Sequence, residues 1–249
     1  MSQPSEGRTS FLPEIQIEGP GEQRRWTVLV RLILLIPHAI VVYFVGIAAA
    51  VVAVLGWFAA LFTGRLPGWI ADFLVLYVGY QARVNAYYSL LTDQFPPFLV
   101  TRLGYPVRTD IRPGRLHWAA VLFRIILVIP AAVVSAVVTE GWAVVSFFLW
   151  LSVLIAGRVP RPVFGASAAV VRYAFRVQAY FYLLTADYPK RLFGDGGSAE
   201  QGTRPLTLSR GARVLLIVII VLGVLALLGA ITAKAYYQPD FEHYDYDWT

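Results

Sequence analysis

Residues 31–37 read Arg-Leu-Ile-Leu-Leu-Ile-Pro, and residues 124–130 read Arg-Ile-Ile-Leu-Val-Ile-Pro. Each arginine opens a long apolar run, and each proline sits inside it. Laid over one another without a gap, residues 31–96 and 124–189 agree at 26 of 66 positions. The agreement includes residues that apolar composition alone would not align. Trp57 meets Trp150, Gly64-Arg65-x-Pro67 meets Gly157-Arg158-x-Pro160, and Arg83-Val84-x-Ala86-Tyr87 meets Arg176-Val177-x-Ala179-Tyr180. Self-similarity at a fixed period marks a duplicated structural unit. Upstream, Pro13, Pro20 and Gly21 match Pro106, Pro113 and Gly114, so the unit includes a lead-in before its arginine.

The chain of 249 residues is 58% hydrophobic and 14% charged, where a soluble domain carries about a quarter charged residues. The apolar residues come in runs; Val214 to Ala233 holds no charge at all, and roughly 20 apolar residues cross ~30 Å of hydrocarbon. An integral membrane protein is expected. The polar N-terminus shows no secretory signal pattern. Cysteine is absent, which excludes disulfides, thiolate metal sites and cysteine nucleophiles. The net charge of +6 is dispersed over short loops. It reads as contact with anionic lipid and not as the dense basic face of a nucleic-acid binder.

These features predict an all-α integral membrane fold. Residues 1–12 form a polar tail, 13–98 the first repeat and 106–195 the second. Residues 196–212 are a linker, 213–235 a C-terminal transmembrane helix and 236–249 an acidic-aromatic tail. Because Pro37 and Pro130 remove a helix hydrogen bond, each repeat is read as an interfacial helix (24–36, 117–129) breaking into a span (38–62, 131–156). A Gly-Arg-x-Pro turn and a returning span (68–91, 162–185) follow, making about five spans in all. An alternative breaks the run before Gly46 and Thr139. Short alternating stretches at 14–18 and 107–111, with a third at 206–208, are candidate β-strands of a small cytoplasmic sheet.

Basic residues in short loops set orientation. Twelve, including Arg24, Arg25, Arg108, Arg112 and Arg115, fall on the side of the N-terminus. Four, Arg65, Arg158, Arg161 and Lys234, fall on the other. The expected placement is the plasma membrane, N-terminus cytoplasmic and C-terminal tail outside, with the two copies parallel about an axis along the membrane normal.

Arg31–His38, the Trp and Gly-Arg-x-Pro block, and Arg83–Phe98 together resemble the domain-of-unknown-function 4389 family over roughly residues 13–195. The second copy departs from that pattern, with Ala131 in place of His38 and no Pro-Pro-Phe. The resemblance implies a bacterial, often actinobacterial, membrane protein and carries no activity with it.

Ionisable residues within apolar segments are expensive and mark candidate sites. Arg31, Arg83, Arg124, Arg172 and Arg176 are candidates to hold anionic lipid headgroups or acidic groups of a partner; the plainer alternative is snorkelling or pairing with backbone carbonyls. Glu140, whose counterpart is Ile47, falls mid-span and would have to be neutralised or find an arginine. Thr92-Asp93 and Asp187 suit helix ends and turns. Three dispersed histidines make no metal or haem site, and no phosphate loop, zinc-protease or nucleophile-elbow motif is present. No catalytic residue and no cofactor are expected. The tail alternates Phe241, Tyr244, Tyr246 and Trp248 with acids, a candidate docking peptide. The leading expectation is a non-catalytic accessory or scaffold subunit beside other membrane subunits; a small oligomeric transporter or channel is the alternative.

Overall fold

The computed structural model describes residues 12–98, 104–194 and 206–236. Strand β1 (Glu14–Ile17) precedes helices α1 (Arg25–Thr63) and α2 (Gly68–Tyr88). Strand β2 (Val107–Asp110), the five-residue α3 (Trp118–Leu122), α4 (Arg124–Ala156) and α5 (Arg161–Phe181) repeat the order, and α6 (Arg210–Tyr236) follows. Three of the helices, α1, α4 and α6, are long and apolar enough to cross a membrane. The expected returning spans, α2 and α5, are not among them. They lie behind the long helices, and most of their side chains are buried against protein.

The expected break at the prolines does not occur. α1 runs unbroken through Pro37, and α4 through Pro130. A proline inside a helix costs about 3 kcal/mol, and here packing on both flanks offsets it: Arg31 and His38, on either side of Pro37, are both buried against the α2 side of the repeat. The second copy breaks earlier, at Phe123 between α3 and α4. α1 and α4 each end on a left-handed glycine, Gly64 (φ 69°) and Gly157 (φ 70°), whose amides donate to Ala60 and Val153. Glycine takes that conformation without a Cβ penalty.

The two copies are not parallel. Leu116 N–H donates to Gly64 O (2.7 Å), and its counterpart Gln23 N–H donates to Gly157 O (2.9 Å). The start of each copy therefore lies at the hairpin turn of the other. Trp57 Nε1 donates to Val121 O across the same junction, and Trp150 packs with Val28, the counterpart of Val121, at the opposite end. α1 and α4 thus run antiparallel, as do β1 and β2, which pair from Glu14↔Asp110 to Ile17↔Val107. This corrects the expectation that the two copies run parallel. It also brings together segments assigned to opposite sides: the Arg25 guanidinium lies near Gly157, and the backbones of Glu22 and Arg158 form an antiparallel β-bridge. The physical reason is the linker. Residues 105–117 return along α2 as an extended strap, so the second copy starts where α1 ends.

The ribbon β1–β2 packs on α2 and α5. Ile15, Tyr105 and Val107 share a core with Leu74, Val78, Val171 and Phe175. The third candidate strand, 206–208, is not in the sheet; Leu208 instead packs with Ala212 and Ala166. α6 meets α4 backbone to backbone: a Cβ on Gly141 would overlap Ile219 O, and one on Gly223 would overlap Val137 O. Small residues allow this close approach in membrane helices. Gly141→Val or Gly223→Val should destabilise the fold by about 1–3 kcal/mol through overpacking. Gly229→Val, which meets nothing within 4 Å, should leave the detergent melting temperature unchanged.

Candidate functional site

Two equivalent arginine clamps sit where each long helix meets the end of its returning helix. In the first, Arg31 is 1% exposed. Its Nη1 donates to the carbonyls of Tyr87 (2.6 Å) and Thr92 (3.2 Å), and its Nη2 to Gln23 Oε1 (2.6 Å) and Asp93 Oδ1 (3.2 Å). Its Cζ lies 4.3 Å from the centroid of the Tyr87 ring, within cation–π range. Asp93 also accepts from the Thr27 hydroxyl and the Arg24 amide. α1 has no acidic residue in its first turn and no side-chain cap on Arg24, so Asp93 supplies from a distance the negative charge that a helix N-terminus favours.

The second clamp keeps the tyrosine face and one hydrogen-bond acceptor where the first has four. Arg124 lies 3.9 Å from the Tyr180 ring centroid, and its Nη2 donates to Thr185 O (2.9 Å). Where the first copy has Gln23 and Asp93, the second has Leu116 and Ala186. Nε and Nη1 of Arg124 are buried with no hydrogen-bond partner among the described residues. In both copies a leucine beside the clamp, Leu90 or Leu183, has positive φ (61° and 63°), and its amide donates to the carbonyl of Tyr87 or Tyr180.

The remaining arginines face the ribbon. Arg176 Nε donates to Pro13 O (3.3 Å) and its Nη1 to Lys190 O (3.1 Å), tying the N-terminal strap to the loop after α5. Arg172 lines a cavity of about 490 Å³ with Ile15–Gly19, Arg108 and Leu206. Arg83 is buried beside Gly79 with Tyr105 nearby, and its Nη1 has no partner among the described residues. Burial raises the Tyr105 hydroxyl well above the ordinary tyrosine range, with Arg83 pulling the other way; it remains a donor, to Gln94 O at 3.2 Å. All five candidate guanidiniums are thus turned inward.

His38 is fully buried. Its Nδ1 lies 2.6 Å from Tyr80 Oη, and its ring packs on Phe95 and Phe98 at 4.5 and 4.4 Å, so it holds the Pro-Pro-Phe loop against α1. Glu140 meets none of the arginines. It is exposed on α4, without a hydrogen bond or ion pair among the described residues. The candidate docking residues Phe241, Tyr244, Tyr246 and Trp248 lie outside the described residues. Among those described, no group of three or more His, Cys, Asp or Glu side chains is placed to hold a metal. Sequence reasoning missed Gln23 and Asp93 as partners of Arg31, and Thr27 as the hydroxyl that holds Asp93. The signal for two of them was their loss in the second copy, at Leu116 and Ala186.

A helical membrane protein made of a duplicated, antiparallel unit, each copy locked by a buried arginine, is the class that fold and clamps define. The family model described as Domain of unknown function (DUF4389) matches residues 25–100 and again 119–192. The chain belongs to that family and carries two tandem copies of its domain. Neither curated proteins nor solved structures gave a match.

The unequal clamps respond differently to mutation. Arg31→Met strands Asp93 and Gln23 and should cost about 3–5 kcal/mol, the range for breaking a buried pair. Arg124→Met removes a half-partnered charge and should be neutral or stabilising. Thermal unfolding of the two variants in detergent compares them directly.

Proposed function

We propose that this protein is a non-catalytic accessory subunit of a membrane complex. The observation that carries the reading is Glu140. Residues 126, 133, 140 and 147 follow one another at seven-residue spacing on α4; Ile126, Val133 and Phe147 are exposed and apolar, and Glu140 is exposed in their midst. An ionisable group at the centre of a membrane helix costs about 2.5–3.5 kcal/mol or more when only lipid surrounds it. A basic or amide side chain on a neighbouring membrane helix removes that cost and gains a hydrogen bond. The equivalent position in the first copy is Ile47, exposed among apolar residues, so the polar contact belongs to one copy only.

The inward-facing arginines fit the same reading. They bind carbonyls and side chains of their own chain, which suits a scaffold held rigid from within. Exposed arginines at the ends of the long helices, Arg24, Arg25, Arg65 and Arg158, suit anionic headgroups. In a mild-detergent purification, the wild type should bring down a membrane subunit in stoichiometric amount. Glu140→Leu should reduce its recovery at least tenfold while leaving insertion and thermal unfolding unchanged. Recovery of the same subunit with Glu140→Leu, or purification of the wild type alone from native nanodiscs, overturns the proposal.

A further inference from the structure

The long helices are too long for the bilayer they are apolar enough to cross. Trp26, Ile33, Ile40, Ile47, Val54 and Phe62 form one exposed stripe on α1, each more than half exposed. Their spacing of seven or eight residues keeps them on a single face. At 1.5 Å per residue the stripe is about 54 Å long, against ~30 Å of hydrocarbon. Fitting it across would need a tilt of roughly 56° from the normal, beyond the ~0–40° that membrane helices adopt. No charged side chain is exposed on α1 between Arg25 and Arg65. On α4 the equivalent stripe is interrupted only by Glu140.

The ribbon points the same way. It runs along α2 and α5, with Thr109 against Gly79 and Pro13 against Arg176, on the side away from the exposed stripes. Its exposed residues are polar: Gln16, Glu18, Arg108 and Arg112, the last paired with Asp110 at 2.8 Å. If α1 and α4 crossed the bilayer, the straps of both copies would be drawn through hydrocarbon beside them. Lipid-exposed irregular backbone and open strand edges do not occur there. At the two ends of the pair, the basic residues collect without regard to the side expected of them. Arg24, Arg25 and Arg158 are at one end, and Arg65 and Arg115 at the other, all exposed.

We infer that α1 and α4, with α6 against them, lie along the plane of one bilayer leaflet. The apolar stripes sit among the acyl chains, and the β1–β2 ribbon and both ends of the helices face water on a single side. The protein is an amphipathic slab in the manner of an interfacial helix, enlarged to three helices. Exposed arginines around its rim meet the headgroups of that leaflet, and Glu140 points to the middle of the bilayer, where a spanning partner reaches it. The inference concerns orientation and does not require the accessory role.

The chain has no cysteine, so single cysteines report without background. Arg24→Cys and Arg65→Cys mark the two ends of α1, and Gln16→Cys marks the ribbon; all three residues are exposed. An impermeant maleimide applied to sealed right-side-out and inside-out membrane vesicles should label all three from the same side. Val54→Cys, on the stripe, should react only after detergent is added. Labelling of positions 24 and 65 from opposite sides overturns the in-plane arrangement, as does reaction of position 54 in intact vesicles. Either result leaves the outcome for Glu140→Leu standing on its own.

Discussion

A guanidinium enclosed by apolar helices must find acceptors there or cost several kcal/mol, and the placement of Arg31 answers that demand in four directions. Its partners come from the lead-in (Gln23), the end of α2 (Tyr87) and the loop beyond it (Thr92 and Asp93). Satisfying one charge therefore fixes how α2 returns along α1 and where the chain leaves the hairpin. Asp93 then reaches back to the Thr27 hydroxyl and the Arg24 amide, so the same network anchors the beginning of α1. The buried position of Arg31 beside Pro37 helps carry the helix through a residue that would otherwise break it.

The antiparallel pairing follows from what happens after the hairpin. The extended strap that includes β2 runs back along α2 and delivers Leu116 to Gly64. With equivalent straps in both copies, β1 and β2 pair across the axis, and Arg176 secures the N-terminal strap by its backbone. The ribbon is a polar lid on the α2–α5 layer. It covers Arg172 and Arg176 on α5, which lie between helix and strap, where the Pro13 carbonyl is at hand for Arg176.

Duplication kept the scaffold and let its polar groups diverge. The change from Gln23 to Leu116 and from Asp93 to Ala186 leaves Arg124 with its tyrosine face and one carbonyl. The change from His38 to Ala131 accompanies the loss of Pro-Pro-Phe: Phe95 and Phe98, on which His38 stacks, are Tyr188 and Arg191 in the second copy. The change from Ile47 to Glu140 puts a carboxyl on the outer face of one long helix only. The first copy carries the tighter lock, and the second carries the outward-facing difference.

The duplication, the membrane class, the helix-ending glycines at 64 and 157 and two of the three short strands were legible in the residues, because period, apolar runs and turn chemistry are local properties. The prolines misled because their local cost is visible in sequence while the packing that outweighs it is not. The relative direction of the copies was not legible. A repeat specifies the same unit twice, and a parallel or antiparallel pair of such units can bury the same side chains. Counting arginines by loop assumed that successive loops alternate sides, whereas residues 105–117 form a strap that carries the chain back along α2. The acceptors for Arg31 and Arg176 lie as far as 62 and 163 residues away, distances over which composition and spacing carry no signal. The sequence by itself determined what each copy is made of. Only the tertiary structure decided that the two copies lie head to tail, because that choice rests on contacts between segments remote in the chain.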